Sequence, residues 1–309
     1  MIRKVKLATR RSILLAVTAS MILTFYSGYY WPFQERYYPL NNAWDGCSEI
    51  ISRAMNSTII WSYDPPLESN GTLLAIIGPG IEFSQSESSQ IRLFLQNGGT
   101  VLLADDTGSG NTLLQALNMT ERFSPMAIAD LYFYSKNPNF PLITEFNPSP
   151  ITRNLTTLIT ERPSYIENST SARILATSSP FSFIDVNGNG TSSVNETLRP
   201  FPIIAEIGLG KGLLILVADP DIFTNQLITM YDNMQLFLNI LRVAGGHLLY
   251  DAHHLESAPL VAWRAALRRL VSSLASQASF SIQAILVATV IIGALAVRVV
   301  KLRKKHVAL

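Results

Sequence analysis

The chain has 309 residues, of which 48 % are hydrophobic and only 15 % charged, enough to bury one sizeable core, or two small ones, with apolar sequence left over. Its net charge of +2 is unevenly spread: Arg3, Lys4, Lys6, Arg10 and Arg11 lie at one end and Arg298, Lys301, Arg303, Lys304 and Lys305 at the other, which leaves 14 basic residues against 22 acidic ones between them. That acidic interior excludes a nucleic-acid-binding surface, and the single cysteine, Cys47, excludes an internal disulfide and reads as buried and unreactive.

In chain order, residues 1–11 read as a basic cytoplasmic tail and 12–31 as a transmembrane helix. Ile13 to Tyr30 carries no charge, and Tyr29, Tyr30 and Trp31 mark a membrane-interface edge. A cleaved signal peptide is the rival reading, disfavoured by the long apolar run and by the lack of a small-x-small cleavage site. Residues 32–254 then form the main domain. SEIISRAMNSTIIW suggests a short helix over about 43–55 followed by a strand. GTLLAIIG, residues 71–78, is a nearly continuous apolar run bounded by glycines, as expected of a strand buried on both faces. Ser84 and Glu87 have capping-box spacing and open a helix with Ile91, Leu93, Phe94 and Leu95 on its apolar side, stopped at Asn97 to Gly99. TVLLADD, residues 100–106, is a second buried strand, so strand, helix and strand make a parallel βαβ pair.

GSGNTLLQALN (108–118) reads as a glycine turn into a short helix, 119–170 as loop-rich, and RILATSS (173–179) as a strand. PFPIIAEIGLGKGLLILVADP (200–220) gives a β-hairpin hinged at Gly208 to Gly212. TMYDNMQLFLNILRVAGG places Met230, Met234, Phe237, Leu238 and Leu241 on one helical face and ends at Gly245 and Gly246. Residues 255–279 read as an amphipathic juxtamembrane helix, with Leu260, Trp263, Leu267 and Leu270 opposite Arg264, Arg268 and Arg269. Phe280 to Val297 is uncharged, so 280–298 is expected to be a second transmembrane helix and 299–309 a basic cytoplasmic tail. Positive ends are held inside. The expected localisation is therefore the cell membrane, two-pass, with both termini cytoplasmic and the main domain extracellular.

Asn56, Asn70, Asn118, Asn154, Asn168, Asn189 and Asn195 each begin an N-x-T triplet, where 18 Asn and 21 Thr in 309 residues predict about one by chance. The excess points to a glycoprotein surface. Within DVNGNGTSSVNE, Asp185, Asn187, Asn189 and Glu196 stand at positions one, three, five and twelve of a calcium loop, with Gly190 at the sharp turn. The flanks FSFI and TLRPF do not read as the paired helices of an EF-hand, so a site here is a stand-alone loop. Calcium and a glycan compete at Asn189, and a plain Asn-Gly turn is an equal alternative to either.

The stretches SQSESSQIRLFLQNGGTVLLADDTGSGNTLL, FIDVNGNG, PFPIIAEIGLGKGLLILVADPDIFTN and DNMQLFLNIL resemble an uncharacterised family of archaeal and bacterial membrane proteins with an outward-facing domain of unknown function. That family is related to type I glutamine amidotransferase-like folds and to auxiliary components of gliding-type ABC transporters, and the resemblance covers most of residues 42–254. It implies a flavodoxin-like (glutamine amidotransferase-like) three-layer α/β sandwich with a partly parallel sheet, flanked here by the two transmembrane helices. It implies no established catalysis, and a MoxR-type ATPase system with von Willebrand-type partners, or an ABC transporter, as the company kept.

An amidotransferase needs a cysteine on the sharp turn after a central strand. Here those turns read Gly78-Pro79-Gly80 and Thr107-Gly108-Ser109, and Cys47 precedes both strands, so that nucleophile is absent. Asp105, Asp106, Ser109 and Asn111 sit at the carboxyl end of a parallel strand, where α/β folds place ligands. They suit a cation or a hydroxylated ligand better than a phosphate, and a plain strand-end turn is the stronger alternative. His247, Asp251, His253 and His254 read as polar residues at the exit of the domain, with structural hydrogen bonding second, because adjacent histidines rarely point the same way and zinc wants convergent ligands. The expected function is a non-catalytic extracytoplasmic binding or assembly module, an accessory subunit of a membrane transport, secretion or envelope complex. The alternative is a hydrolase or carbohydrate-binding enzyme using the Asp105 to Asn111 pocket.

Overall fold

The computed structural model describes residues 33–192 and 197–256, together with 16–20, 22, 23, 26, 263, 264, 266 and 267. Residues 32–259 form one compact unit; 1–31 and 260–309 form a second, whose described residues are helical. Two expectations are corrected. No helix among the described residues is long and apolar enough to cross a membrane. The flanking transmembrane helices are therefore not supported, nor is the two-pass cell-membrane localisation with its extracellular domain that rested on them. Most of 12–31, all of 280–298 and most of the amphipathic segment 255–279 lie outside the described residues.

The main unit is a mixed α/β domain. In chain order come α1 (Ser48–Arg53), β1 (Asn56–Ile60), β2 (Thr72–Ile77), α2 (Gln85–Gln96), β3 (Thr100–Ala104) and α3 (Asn111–Ala116). Short strands follow: β4 (Arg122–Phe123), β5 (Ile128–Asp130), β6 (Leu142–Ile143), β7 (Glu145–Phe146), β8 (Leu158–Ile159) and β9 (Ile166–Glu167). The chain closes with β10 (Arg173–Thr177), β11 (Ser182–Ile184), the hairpin β12 (Pro202–Leu209) and β13 (Gly212–Val217), a 3-10 turn (Pro220–Phe223), α4 (Asn233–Ala244) and β14 (His247–Asp251). Eight strands build the main sheet in the order β1-β14-β2-β3-β13-β12-β10-β7. Its first five strands run parallel and its last three are attached antiparallel. The expected βαβ pair is β2-α2-β3, with Leu73 opposite Thr100 and Ile77 opposite Ala104. All the parallel strands end at one edge of the sheet.

Every residue of β2 and β3 is buried, because helices cover both faces of the parallel half. Alternation sends Leu74, Ile76, Val101 and Leu103 into a cluster with Ile91, Phe94 and Leu95 of α2 and Leu113, Leu114 and Leu117. The neighbouring positions Leu73, Ala75 and Leu102, equally buried, point to the opposite face. The capping box forms as its spacing predicts: the Ser84 hydroxyl accepts the Glu87 N–H at 3.3 Å, and the Ser84 N–H donates to Glu87 Oε2 at 2.8 Å. The expected faces of both long helices are slightly rotated. Leu93 is 57 % exposed, since it lies two positions from Ile91 and Leu95 on a 3.6-residue period. In α4 the buried face runs through Leu236, Phe237, Ile240, Leu241 and Ala244, not through Met230, Met234 and Leu238. Asn233 and Asn239 share that face because their amides bond the carbonyls of Ile159 and Leu227, and of Ile151 and Arg153. α4 stops at Gly245, at φ 107°, a left-handed conformation that glycine reaches without penalty.

Candidate functional site at the strand ends

The site is built from the turns that follow the parallel strands. β3 runs into Asp105 and Asp106, and β13 into Asp219 and Asp221. Asp105 is fully buried, and its carboxylate accepts the N–H and hydroxyl of Thr107 at 2.9 Å each and the N–H of Gly110 at 2.7 Å. It organises the turn into α3. Asn111 also faces the backbone, exchanging two 2.9 Å bonds with the N–H and carbonyl of Phe123. Of the four strand-end residues expected to meet a ligand, these two are structural. Ser109 lines a cleft of about 600 Å³ together with Arg36, Tyr37 and Gly78 to Gly80. Asp106 lines a neighbouring cavity of about 250 Å³ with Arg36, Glu161, Arg162, Ser164 and Asp221. Arg36 borders both.

Arg36 and Tyr37 reach the strand ends because the segment before α1 is tied down. The Tyr250 hydroxyl donates to the Tyr37 carbonyl at 2.6 Å, and the Asn225 amide donates to the carbonyls of Asn41 and Ala43. Gly78, at φ 58°, lets the Tyr37 ring lie over the end of β2, where a Cβ would come within 2.1 Å of the ring. Arg36 Nη2 donates to both oxygens of Asp221 at 2.8 and 2.7 Å, and the Tyr37 hydroxyl donates to Asp221 Oδ1 at 3.1 Å. Asp219 is fully buried, and its two oxygens accept the N–H groups of Glu161 and Asp221 at 2.8 Å each, which caps the 3-10 turn.

Crowding of carboxylates fixes the electrostatics. Burial, then the charges of Asp221 and Asp105, push the Asp106 carboxyl up to about 7, although Arg36 opposes the rise. Burial, then the charges of Asp221 and Asp106, hold Asp219 well above the carboxylate range. Asp221 is raised by burial in spite of its ion pair with Arg36 and its bond from Tyr37. Glu161 is raised by burial and by Asp221. Near neutrality the Asp106 carboxyl is thus divided between its protonated and ionised forms, able to donate as well as accept hydrogen bonds. Asp219, Asp221, Glu161, Arg36 and Tyr37 were not found from the sequence. The available signal was the acidic turn after the second arm of the hairpin, ADPD, which mirrors the ADD after β3.

Cys47 is fully buried before α1, and burial pushes its thiol up to about 12, as an unreactive structural cysteine requires. In the calcium-like loop, Asp185 accepts the N–H groups of Asn189 at 3.1 Å and Gly190 at 2.8 Å, and Asn187 Oδ1 accepts that of Asn189 at 3.3 Å. Asp185 and Asn187 thus meet at the backbone of Asn189, whose own side-chain oxygen accepts the N–H and hydroxyl of Thr191 at 2.8 and 2.6 Å instead, while Glu196 and Asn195 lie outside the described residues. Asn56, Asn70, Asn118, Asn154, Asn168 and Asn189 are all exposed, and Asn118, Asn154 and Asn168 occupy left-handed turn positions that asparagine tolerates. The first reading of the histidines, as surface residues, is corrected, and the second, structural hydrogen bonding, fits: His254 is almost fully buried against Asp251, and His253 and His254 both turn toward Glu87.

Fold and site together define an α/β domain with a cavity lined by carboxyl and guanidinium groups at the carboxyl edge of a half-parallel sheet. The chain belongs to the DUF4350 family, described as a domain of unknown function, whose profile matches residues 39–241. No curated protein matches the chain. Among solved structures it is similar to the mmIFT52 N-terminal domain, with 17 % identity over 56 % of this chain and 76 % of that one and a TM-score of 0.45. It is also similar to a putative ThuA-like protein from Bacteroides uniformis, with 13 % identity over 73 % of this chain and 83 % of that one and a TM-score of 0.35. A β-galactosidase from Rahnella sp. R3 aligns at 14 % identity over 59 % of this chain and 23 % of that one, with a TM-score of 0.37. At these scores none of the three carries an argument about function.

Proposed function

We propose that the domain is a non-catalytic binding or assembly module, an accessory subunit that captures a small cationic or hydroxyl-rich group at the strand-end cavity. The supporting observation is the cavity of about 250 Å³ in which Asp106, Glu161 and Asp221 converge with Arg36. Such a lining offers several acceptors beside the guanidinium donors of Arg36 and Arg162, which suits a polyol or an amine. The nucleophile candidates favour binding over chemistry. The Ser109 hydroxyl accepts from the Thr107 hydroxyl at 3.5 Å, the Ser164 hydroxyl donates to the Ser124 carbonyl at 2.6 Å, and Cys47 is sealed in the core. The resemblance to components that accompany MoxR-type ATPases and ABC transporters supports a role as one subunit among several.

A second reading, a hydrolase or carbohydrate-processing enzyme, is favoured by one observation. A carboxyl raised to about 7, as for Asp106, suits general acid-base work. Calorimetric titration of the full chain with a panel of monosaccharides, polyols and amines separates the two. The binding reading expects a ligand that Asp106→Asn weakens at least tenfold and that is recovered unchanged. Turnover of any panel member that Asp106→Ala abolishes overturns it in favour of the enzyme.

A further inference from the structure

A second cluster forms where β14 ends. Asp251 Oδ1 accepts the N–H groups of His253 at 2.8 Å and His254 at 3.4 Å, bending the chain so that two adjacent histidines leave the strand on the same side. The bend is pinned from below: the His254 carbonyl accepts the N–H groups of Gly80 at 2.8 Å and Ile81 at 3.1 Å. Glu87 meets the histidines from the first turn of α2, its Oε2 held by the Ser84 N–H at 2.8 Å and hydroxyl at 2.5 Å. His253 Nε2 lies 2.8 Å from Glu87 Oε1, and His254 Nε2 lies 3.7 Å from Glu87 Oε2. One donor atom from each of the three residues falls within 4.8 Å of the others.

The decisive atom is His254 Nε2. It is buried and has no hydrogen-bond partner. The opposite nitrogen, Nδ1, sits 2.6 Å from Asp251 Oδ2, which also accepts the Tyr63 hydroxyl at 3.0 Å. A carboxylate at that distance fixes the proton on Nδ1, so Nε2 presents a lone pair toward Glu87. Two acceptors facing each other in a buried site repel unless a cation stands between them. The ring cannot turn away, because it stacks on Phe83 with centroids 3.8 Å apart and meets the edge of Tyr63. Carboxylate to imidazole Nδ1, with Nε2 free, is the outer-sphere arrangement that orients a metal-binding histidine.

We propose that Glu87, His253 and His254 hold a divalent transition-metal ion of the zinc class, with Asp251 positioning His254. Metal-ligand distances near 2.0–2.2 Å put the donor atoms of a tetrahedral site roughly 3.3 Å apart. The 2.8 Å runs to one Glu87 oxygen and the 3.7 Å to the other, and the three donor atoms lie within 4.8 Å of one another, so side-chain movements of about 1 Å close the site. Two imidazoles and one carboxylate suit zinc or cobalt rather than calcium or magnesium, which prefer oxygen donors. Three protein ligands leave a fourth position for water or a ligand atom, on the side where His253 is 38 % exposed. The family match ends at Leu241, before β14, so Glu87 lies within the matched region and Asp251, His253 and His254 beyond it.

The full chain, stripped with a chelator, is titrated with cobalt(II) while its visible ligand-field absorption is followed, and with zinc by calorimetry. One ion per chain is expected, with a cobalt spectrum of tetrahedral type and a thermal midpoint that rises with zinc, because the ion binds the folded chain. His253→Ala is expected to lower affinity at least tenfold while the metal-free protein stays folded, its thermal midpoint lowered only slightly by loss of the partly exposed bond to Glu87. Asp251→Asn is expected to weaken binding ten- to a hundredfold, by loosening the His254 ring and the bend that presents both histidines. Absence of binding by the wild type, with no effect of zinc on its thermal midpoint, overturns the proposal and leaves a proton between His254 and Glu87 as the cation. Wild-type affinity in His253→Ala overturns it equally.

Discussion

Replacing Asp106 with asparagine tests the electrostatics of the strand-end cavity directly. The carboxyl moves from 3.8 to about 7 on folding, driven first by burial and then by Asp221 and Asp105. Between those values the native state binds more protons than the unfolded chain, so stability falls as pH rises. The contribution is fully present below 3.8 and is lost as pH passes through about 7. At about 1.4 kcal/mol for each pH unit, the ionised group costs roughly 4 kcal/mol at pH 8.5, an upper figure because water and neighbouring side chains relax around it. Asparagine keeps the shape and removes the charge. Urea denaturation of the two proteins at pH 5 and pH 8.5 should therefore show Asp106→Asn more stable by roughly 1.5 kcal/mol at the lower pH, where only the unfolded carboxyl has ionised, and by clearly more at the higher. The gain is expected to be a few kcal/mol, with an unchanged slope. Equal effects at both pH values, or a variant less stable at pH 8.5, would refute the assignment of a raised Asp106.

Other outcomes follow from the same geometry. Leu103→Ala removes a fully buried side chain between α2 and the sheet and should cost about 2–5 kcal/mol in denaturant unfolding, with the sheet retained by circular dichroism. Asp232 Oδ2 accepts the N–H groups of Thr156 at 2.7 Å and Thr157 at 3.0 Å and the Thr156 hydroxyl at 2.8 Å. These bonds outweigh partial burial and hold its carboxyl below the ordinary value of 3.8. Its contribution is present above that value and lost as pH falls through the folded one. Asp232→Ala should thus cost about 1 kcal/mol at pH 7 and less near pH 2, measured by thermal unfolding. Calorimetry with calcium tests the loop that begins at Asp185. Heat of binding that Glu196→Ala abolishes supports an ion site, whereas a silent wild type leaves Asp185 as the organiser of an Asn-Gly turn.

Much of the scaffold was legible because the information was local. Continuous apolar runs at Thr72–Ile77 and Thr100–Ala104 announced strands buried on both faces, Ser84 with Glu87 announced the start of α2, and the glycines around Lys211 announced the hairpin. The region 119–170 read as loop because its two- and three-residue strands are too short for any period to emerge. They persist through buried side-chain bonds that no spacing reveals, such as Asp130 Oδ2 with the hydroxyls of Ser179 and Ser182 at 2.5 and 2.6 Å. The end segments show the converse limit. Apolar runs long enough to span read as membrane anchors by hydropathy alone, yet no described helix bears this out.

Local chemistry, written in the order of side chains, settled the mixed α/β character, the buried cysteine and the position of Asp105 and Asp106 at a strand end. Tertiary structure alone decided which of those aspartates turns inward to its own backbone and which faces a cavity, because that depends on Arg36 and Asp221, 185 residues apart, meeting over the sheet. It also decided that Glu87 and His253, separated by 166 residues, share a hydrogen bond. Strand order brings the ends of β14, β2, β3 and β13 to one edge. Charges that are neutral to one another along the chain become neighbours there, and their proximity, not their sequence, sets the protonation and the ligands that the site can hold.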